Sequence, residues 1–280
     1  MGNFENCGIA YPLTAYDAEE AAELLPKFYQ LSDRMSHWSA SPQIPKSHLV
    51  STWVAQLIRN QRLLDAVEEL IGPNILCWNA TFFPKAAGSE GYVGWHQDIT
   101  YWGLDPSEGH VVTAWLALSD AREDNGCMFF LPGSHKEGMR CHRQDLHQTD
   151  NMLLGSQEVA LSDREQQLAI PVVLEPGQFS VHHSKLLHGS YGNLSDRPRI
   201  GLSINFMSTD VRQTTNGGYD SASLVRGVDE FGHFQLEPAP DSDFDRASIE
   251  AYKKALLTPG GIGGADDEIY HSSTDLSHIV

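Results

Sequence analysis

Basic residues are scarce in this chain. Nineteen Lys and Arg face 37 Asp and Glu, a formal net charge of −18 over 280 residues. A chain this acidic repels phosphate backbones and anionic bilayer surfaces, which excludes nucleic acid and membranes as expected partners. Long apolar runs are missing too: no stretch approaches the ~18 residues needed to cross a bilayer. The start, Met1–Gly2–Asn3–Phe4–Glu5–Asn6, has no basic region leading into an apolar core, so no secretory leader is expected. Gly2 suits myristoylation, but position 6 is Asn and not Ser or Thr. Cysteine is sparse. Cys7, Cys77, Cys127 and Cys141 form no CxxC pair, which excludes a zinc ribbon or dithiol motif and suits a reducing, cytoplasmic setting.

What is present is ordinary globular composition, 41% hydrophobic and 20% charged. Ala18–Met35 has helical period, with Leu24, Leu25, Phe28 and Leu31 on one side and Asp17 as N-cap. A second helix is expected over Leu49–Leu70, stopped by Gly72–Pro73, and the two helices would cover one face of a sheet. From Asn74 the pattern turns to strands: Ile75–Phe83, Gly91–Ile99, Val111–Leu118, Cys127–Leu131, Pro171–Leu174, Phe179–His182 and Ile200–Phe206. Asp124–Asn125–Gly126 signals a turn. Lys136–Gln167 is polar and irregular and reads as a long insertion acting as a lid or binding loop; a last helix is expected near Arg246–Leu257. Short strands behind two helices predict a mainly β chain with flanking helices and a double-stranded β-helix, or jelly-roll, core. It is expected to be a single domain: helical cover 1–73, core 74–210, extension 211–280.

His96 and Asp98 lie two apart in Trp95–His96–Gln97–Asp98. On a strand, side chains two apart share a face, so an imidazole nitrogen and a hard anionic oxygen point together. That is most of a facial triad, the donor set that suits non-heme Fe(II) and leaves positions open. The missing ligand is a second histidine. His182, His183 and His188 compete; His188 is preferred because Gly189 and Ser190 leave open space beside it. Its separation from His96 also suits strands on opposite sides of a jelly roll. Arg199 opens a strand, whereas its rival Arg197 lies in a Ser-Asp-Arg-Pro turn. Arginine is the side chain that best grips a carboxylate with two parallel hydrogen bonds.

These pieces, in order with Tyr101–Trp102, Thr113–Ala114–Trp115, Asn125–Gly126–Cys127, Leu131–Pro132–Gly133–Ser134–His135 and His188–Gly189–Ser190, resemble the phytanoyl-CoA dioxygenase family of Fe(II)/2-oxoglutarate oxygenases. The likeness covers Ile75 to Phe206, with a looser continuation through Leu224–Val225–Arg226–Gly227. The resemblance implies a jelly roll with Fe(II) on His96, Asp98 and His188, and O2 as co-substrate. It implies that Arg199 holds the distal carboxylate of 2-oxoglutarate with help from Ser190, and that Trp115, Thr113 and Asn79 line that co-substrate. His135 belongs to a structural corner. In halogenating relatives a small residue replaces the carboxylate ligand; the presence of Asp98 implies oxygen transfer, with hydroxylation of a small metabolite as the expected outcome. Tyr101, Trp102, Asn205 and the Lys136–Gln167 segment are the expected substrate contacts. The acid balance favours a neutral or cationic small molecule over an acyl-CoA, whose phosphates would want a basic patch. Two other readings stand beside this one: a cupin-type metal enzyme without 2-oxoglutarate, which would want extra histidines and no Arg199, and a non-catalytic jelly-roll binding module.

Overall fold

The computed structural model describes residues 4–38, 41, 43–100, 102–105, 110–144, 150–153, 157–214 and 219–257. Among these the strands are β1 (Ile9–Thr14), β2 (Ile75–Lys85), β3 (Val93–His96), β4 (Val111–Ala117), β5 (Met128–Phe130), β6 (Arg143–Gln144), β7 (Gln157–Glu158), β8 (Ile170–Val172), β9 (Gln178–His183), β10 (His188–Ser190), β11 (Arg199–Ser208), β12 (Ser221–Arg226) and β13 (Gln235–Leu236). The helices are α1 (Phe4–Cys7), α2 (Ala18–Ala22), α3 (Leu24–Met35), α4 (Thr52–Leu57), α5 (Gln61–Ile71), α6 (Asp163–Leu168) and α7 (Arg246–Leu257). None of the described helices is long and apolar enough to cross a membrane. The fold is a double-stranded β-helix, and the chain resolves into two compact units, with β2, β4 and β11 contributing residues to each.

The first unit comprises Met1–Ala22, Pro84–Tyr101 and Trp115–Gly201. It carries the strand order β1-β9-β4-β11 in one sheet and the smaller sheet β3-β10-β5-β8. One hydrophobic cluster draws on both: Ile9, Trp115 and Ala117 from the larger sheet, Met128, Phe130 and Val172 from the smaller, with Leu186 between. Burying each large apolar side chain contributes roughly 1.5–3 kcal/mol, so this shared cluster is what holds the short strands of the smaller sheet in place.

The second unit comprises Glu23–Phe83, Trp102–Ala114 and Leu202–Val280, with the strand order β4-β11-β2-β12-β13. Leu24, Phe28, Leu31 and Met35 form the buried stripe of α3, and the Phe28 ring meets Phe82 of β2 at 5.0 Å between centroids. A buried polar group lies here as well. Lys46 Nζ pairs with Glu237 at 2.5 Å, His48 Nε2 lies 3.1 Å from the other Glu237 oxygen, and Ser221 and Ser223 donate to the same carboxylate.

Several elements differ from expectation. The first helix breaks after Ala22: Asp17 Oδ1 caps the amides of Glu19 and Glu20, which closes a short turn, and α3 starts afresh at Leu24. The helix expected over Leu49–Leu70 is likewise two, because Asn60 caps α5 by accepting from the Leu63 amide. β2 runs through Pro84 to Lys85. The Lys136–Gln167 segment is not irregular throughout: it contains the β6/β7 ladder and α6, the latter started by a Ser162–Glu165 capping box. β1 was not expected, its apolar pattern being broken by Pro12, nor was the three-residue β10.

Candidate metal centre

All three proposed ligands belong to the first unit. β3 and β10 pair antiparallel with His96 opposite His188, so the two imidazoles are cross-strand neighbours, their ring centroids 4.1 Å apart. This corrects the expectation of opposite sides of the roll: the two strands are adjacent in one sheet. On its other flank His188 is in register with Phe130 and stacks on that ring at 5.3 Å, with 14° between planes.

Asp98 is not on the strand. β3 ends at His96, and Asp98–Thr100 forms a 3-10 turn. Gln97 is the cause. Its amide donates to His142 Nε2, its side-chain nitrogen donates to the carbonyls of Gly138 and Lys185, and its side-chain oxygen accepts from the Arg140 amide. Those bonds draw the backbone out of the ladder and turn Asp98 back toward His96. His96 and Asp98 therefore meet through this turn and not through alternation along a strand.

The ligand atoms of His96, Asp98 and His188 all lie within 4.8 Å of one another, and all three residues are buried. His96 Nε2 is 3.2 Å and His188 Nε2 3.5 Å from Asp98 Oδ1. His96 Nδ1 lies 2.9 Å from the Gly94 carbonyl, and His188 Nδ1 2.9 Å from that of Leu186. A carbonyl can only accept, so both Nδ1 atoms carry a proton, and a ring whose single proton is there presents a lone pair at Nε2. Two nitrogen lone pairs and a carboxylate oxygen thus converge on one buried point, a donor set that fits a divalent cation. Electrostatics agree. Burial, then His96, holds His188 well below the ordinary imidazole range, so it is neutral. Burial alone would raise the Asp98 carboxyl, but the imidazoles around it, His188 first and then His182 and His96, hold it well below the usual carboxylate range, so it is ionised.

The glycine after His188 serves a different purpose from the one expected. A Cβ at Gly189 would lie 2.8 Å from the Val93 carbonyl and 3.3 Å from the Trp95 amide. It admits the β3 backbone; it does not clear space beside a metal.

Arg199, Ser190 and Trp115 are also in the first unit, and each is buried. The Arg199 guanidinium sits 5.3 Å from the Trp115 ring centroid, and its Nε donates to the Gly126 carbonyl at 3.1 Å. The reason β11 carries Gly201 is plain: a Cβ there would come 1.9 Å from Trp115 Cζ2. Beside them stands Lys85, which sequence reasoning missed. Its Nζ donates to Ser190 Oγ at 2.8 Å, to the Ser190 carbonyl at 3.4 Å and to the Tyr191 carbonyl. All three acceptors are neutral oxygens. Burial, then the charge of Arg199, pushes the Lys85 ammonium down to about 6, and burial brings Arg199 itself down to about 10. A buried lysine pushed down by a buried arginine marks a place where a bound anion would be stabilised and would restore the lysine's charge. The one sequence signal for Lys85 was a charge at the end of an apolar strand.

Asn79, Thr113, Trp102 and Asn205 lie in the second unit. Asn205 Nδ2 donates to Thr113 Oγ1 at 3.1 Å, Asn79 Nδ2 donates to Thr81 Oγ1 at 2.9 Å, and Asn79 Oδ1 accepts from the Lys46 amide. The Trp102 ring meets Trp78 at 5.4 Å, and Trp78 Nε1 donates to buried Asp220 at 2.5 Å. Tyr101 lies outside the described residues, as does part of Lys136–Gln167. Of the rival residues, Arg197 pairs with Asp124 and is half exposed, while His182 is buried beside Asp98.

The family model for phytanoyl-CoA dioxygenase (PhyH) matches residues 11–201. A zebrafish (Danio rerio) phytanoyl-CoA dioxygenase domain-containing protein 1 is 32% identical over 147 residues, 51% of this chain and 47% of the relative. A probable alpha-ketoglutarate-dependent hypophosphite dioxygenase of Stutzerimonas stutzeri is 30% identical over 172 residues, 60% of this chain and 57% of the relative. The chain thus spans about half the length of the curated relatives it matches. Among solved structures, the apo form of the non-heme monooxygenase ThoJ superposes with a TM-score of 0.81 at 32% identity, covering 92% of this chain and 94% of that one.

Proposed function

Because the chain belongs to the phytanoyl-CoA dioxygenase (PhyH) family, we propose that it is a non-heme Fe(II)- and 2-oxoglutarate-dependent oxygenase acting on a small molecule. The observation that carries this reading is the convergence of His96 Nε2, Asp98 Oδ1 and His188 Nε2 on one buried point, in a unit that also buries Arg199 and Lys85.

In this reading His96, Asp98 and His188 hold Fe(II), and Arg199 takes the distal carboxylate of 2-oxoglutarate. When bound, iron and co-substrate together supply O2 activation, with succinate and CO2 as co-products. The rest is the work of the chain. Phe130 and the strand pairing fix the His188 ring. The Gly94 and Leu186 carbonyls fix the tautomers. The Trp115 ring flanks the Arg199 guanidinium. Lys85 donates to Ser190 Oγ, so the hydroxyl's own proton is directed away from Lys85 and is available to a carboxylate.

The outcome at the substrate is proposed to be hydroxylation of an unactivated C–H of a neutral or cationic metabolite. The carboxylate of Asp98 occupies the position a halide would need, and the net charge of −18 disfavours acyl-CoA. A screen of metabolites, reading succinate release together with O2 uptake and product mass, tests this. A mass gain of one oxygen, coupled to one succinate, is the expected result. Metal-dependent turnover without succinate would instead favour a cupin-type enzyme, and metal binding with no turnover a binding module.

A further inference from the structure

A third buried histidine stands at this site, and its chemistry is the reverse of the other two. His182 is on β9, 1% exposed, with its ring 4.6 Å from His188 and edge-on to Phe130 at 4.9 Å. Its Nε2 lies 3.3 Å from Asp98 Oδ2, the oxygen that does not face His96 and His188. An ionised carboxylate only accepts, so His182 Nε2 carries the proton. Its Nδ1 is buried with no hydrogen-bond partner among the described residues, whereas the Nδ1 atoms of His96 and His188 each face a carbonyl. His96 and His188 thus aim lone pairs at the common point from Nε2, whereas His182 aims an N–H at the carboxylate.

We propose that His182 is a positioning residue that holds Asp98 Oδ2 away from the metal position, so that Asp98 offers the metal Oδ1 alone. Building on the function proposed above, this gives the residue a defined purpose. A carboxylate free to swing would place both oxygens on the cation and take a position that 2-oxoglutarate or O2 requires. The donor from His182 makes that swing costly, because Oδ2 would leave a hydrogen bond inside a dry wall of rings. The prediction that follows is unusual for a residue so near a metal. Losing the donor leaves metal affinity intact or raises it, while 2-oxoglutarate affinity falls.

The test uses the full chain loaded anaerobically with Mn(II) and two variants. His182→Phe keeps an aromatic ring and loses the donor; His182→Gln keeps an N–H donor. Calorimetry measures Mn(II) affinity, then 2-oxoglutarate affinity on the loaded protein, and Co(II) substitution adds a visible spectrum that reports coordination. His182→Phe is expected to bind Mn(II) within about threefold of the parent. Its 2-oxoglutarate affinity should be weaker by about tenfold or more, a size usual for losing an outer hydrogen bond at a metal site. His182→Gln is expected to restore most of that loss. The proposal is overturned if His182→Phe binds 2-oxoglutarate like the parent, or if both variants lose it equally, since ring volume would then be the cause. Loss of Mn(II) in both also overturns it, because His182 would then be a ligand or a support of the fold. If the parent itself binds no 2-oxoglutarate, the proposed function falls first, and the two failures are told apart.

Discussion

Replacing Gly201 with Ala tests the anchor of the co-substrate site without touching a charged group. The new Cβ would sit 1.9 Å from Cζ2 and 2.4 Å from Cε2 of Trp115. Ordinary carbon–carbon separation is ~3.5–4.0 Å, so the indole must retreat by about 1.6–2.1 Å. It has little room, being 4% exposed and packed in the cluster with Phe130 and Met128. Overpacking of this kind costs about 1–3 kcal/mol. For a chain of this size that lowers Tm by about 2–12 °C. The indole is also what the Arg199 guanidinium lies against, a cation–π contact worth ~0.5–2 kcal/mol. Its loss should weaken 2-oxoglutarate binding about twofold to thirtyfold. Calorimetric melting, followed by titration of 2-oxoglutarate into the Mn(II)-loaded protein, reads both effects. In a Trp115→Leu background the same glycine change should cost less than about 0.5 kcal/mol, because the clash is gone. If Gly201→Ala melts within about 1 °C of the parent and binds 2-oxoglutarate equally well, Trp115 does not link position 201 to the Arg199 guanidinium, and the reasoning fails.

Other outcomes are expected from the same geometry. His96→Ala or His188→Ala should abolish iron-dependent 2-oxoglutarate consumption, and full consumption by either variant would show the ligand set to be wrong. Lys85→Met should raise KM for 2-oxoglutarate far more than it lowers kcat, by roughly tenfold to a hundredfold if a charge-assisted bond of ~1.5–3 kcal/mol is lost; an unchanged KM would remove Lys85 from the site. The metal-free chain should lose stability on acidification. His188 is held low in the fold by burial, and His183 by burial and His135, to about 4. At these two histidines the unfolded chain therefore takes up protons below pH ~6.5 that the fold refuses, so their contribution to stability is whole above that value and falls as pH drops toward about 4. Melting curves from pH 7 to pH 4 check this, and His183→Asn should flatten the slope.

How much was legible beforehand follows from where each partner lies. His96, Asp98, His188 and Arg199 stood out because ligand chemistry and a familiar motif order mark them within short stretches. The geometry that joins them was not visible. Asp98 is turned by Gln97, whose side chain bonds to Gly138, Lys185 and Arg140, some forty to ninety positions on. Lys85 and His182 act through Ser190 and Asp98, again far away in the chain. Helical period runs unbroken through Arg59 and Asn60, so the cap that divides α4 from α5 shows only in the backbone. β10 is His-Gly-Ser, too short and too poor in β-branched residues to read as a strand, yet its pairing with β3 and β5 sets the metal point.

Whether three side chains hold one ferrous ion is measured directly by anaerobic Fe(II) titration in the presence of 2-oxoglutarate. One equivalent per chain, lost in His188→Ala and retained in Arg199→Leu with weaker 2-oxoglutarate binding, is the predicted result. Fe(II) binding that is absent in the parent, or undiminished in His188→Ala, would contradict it.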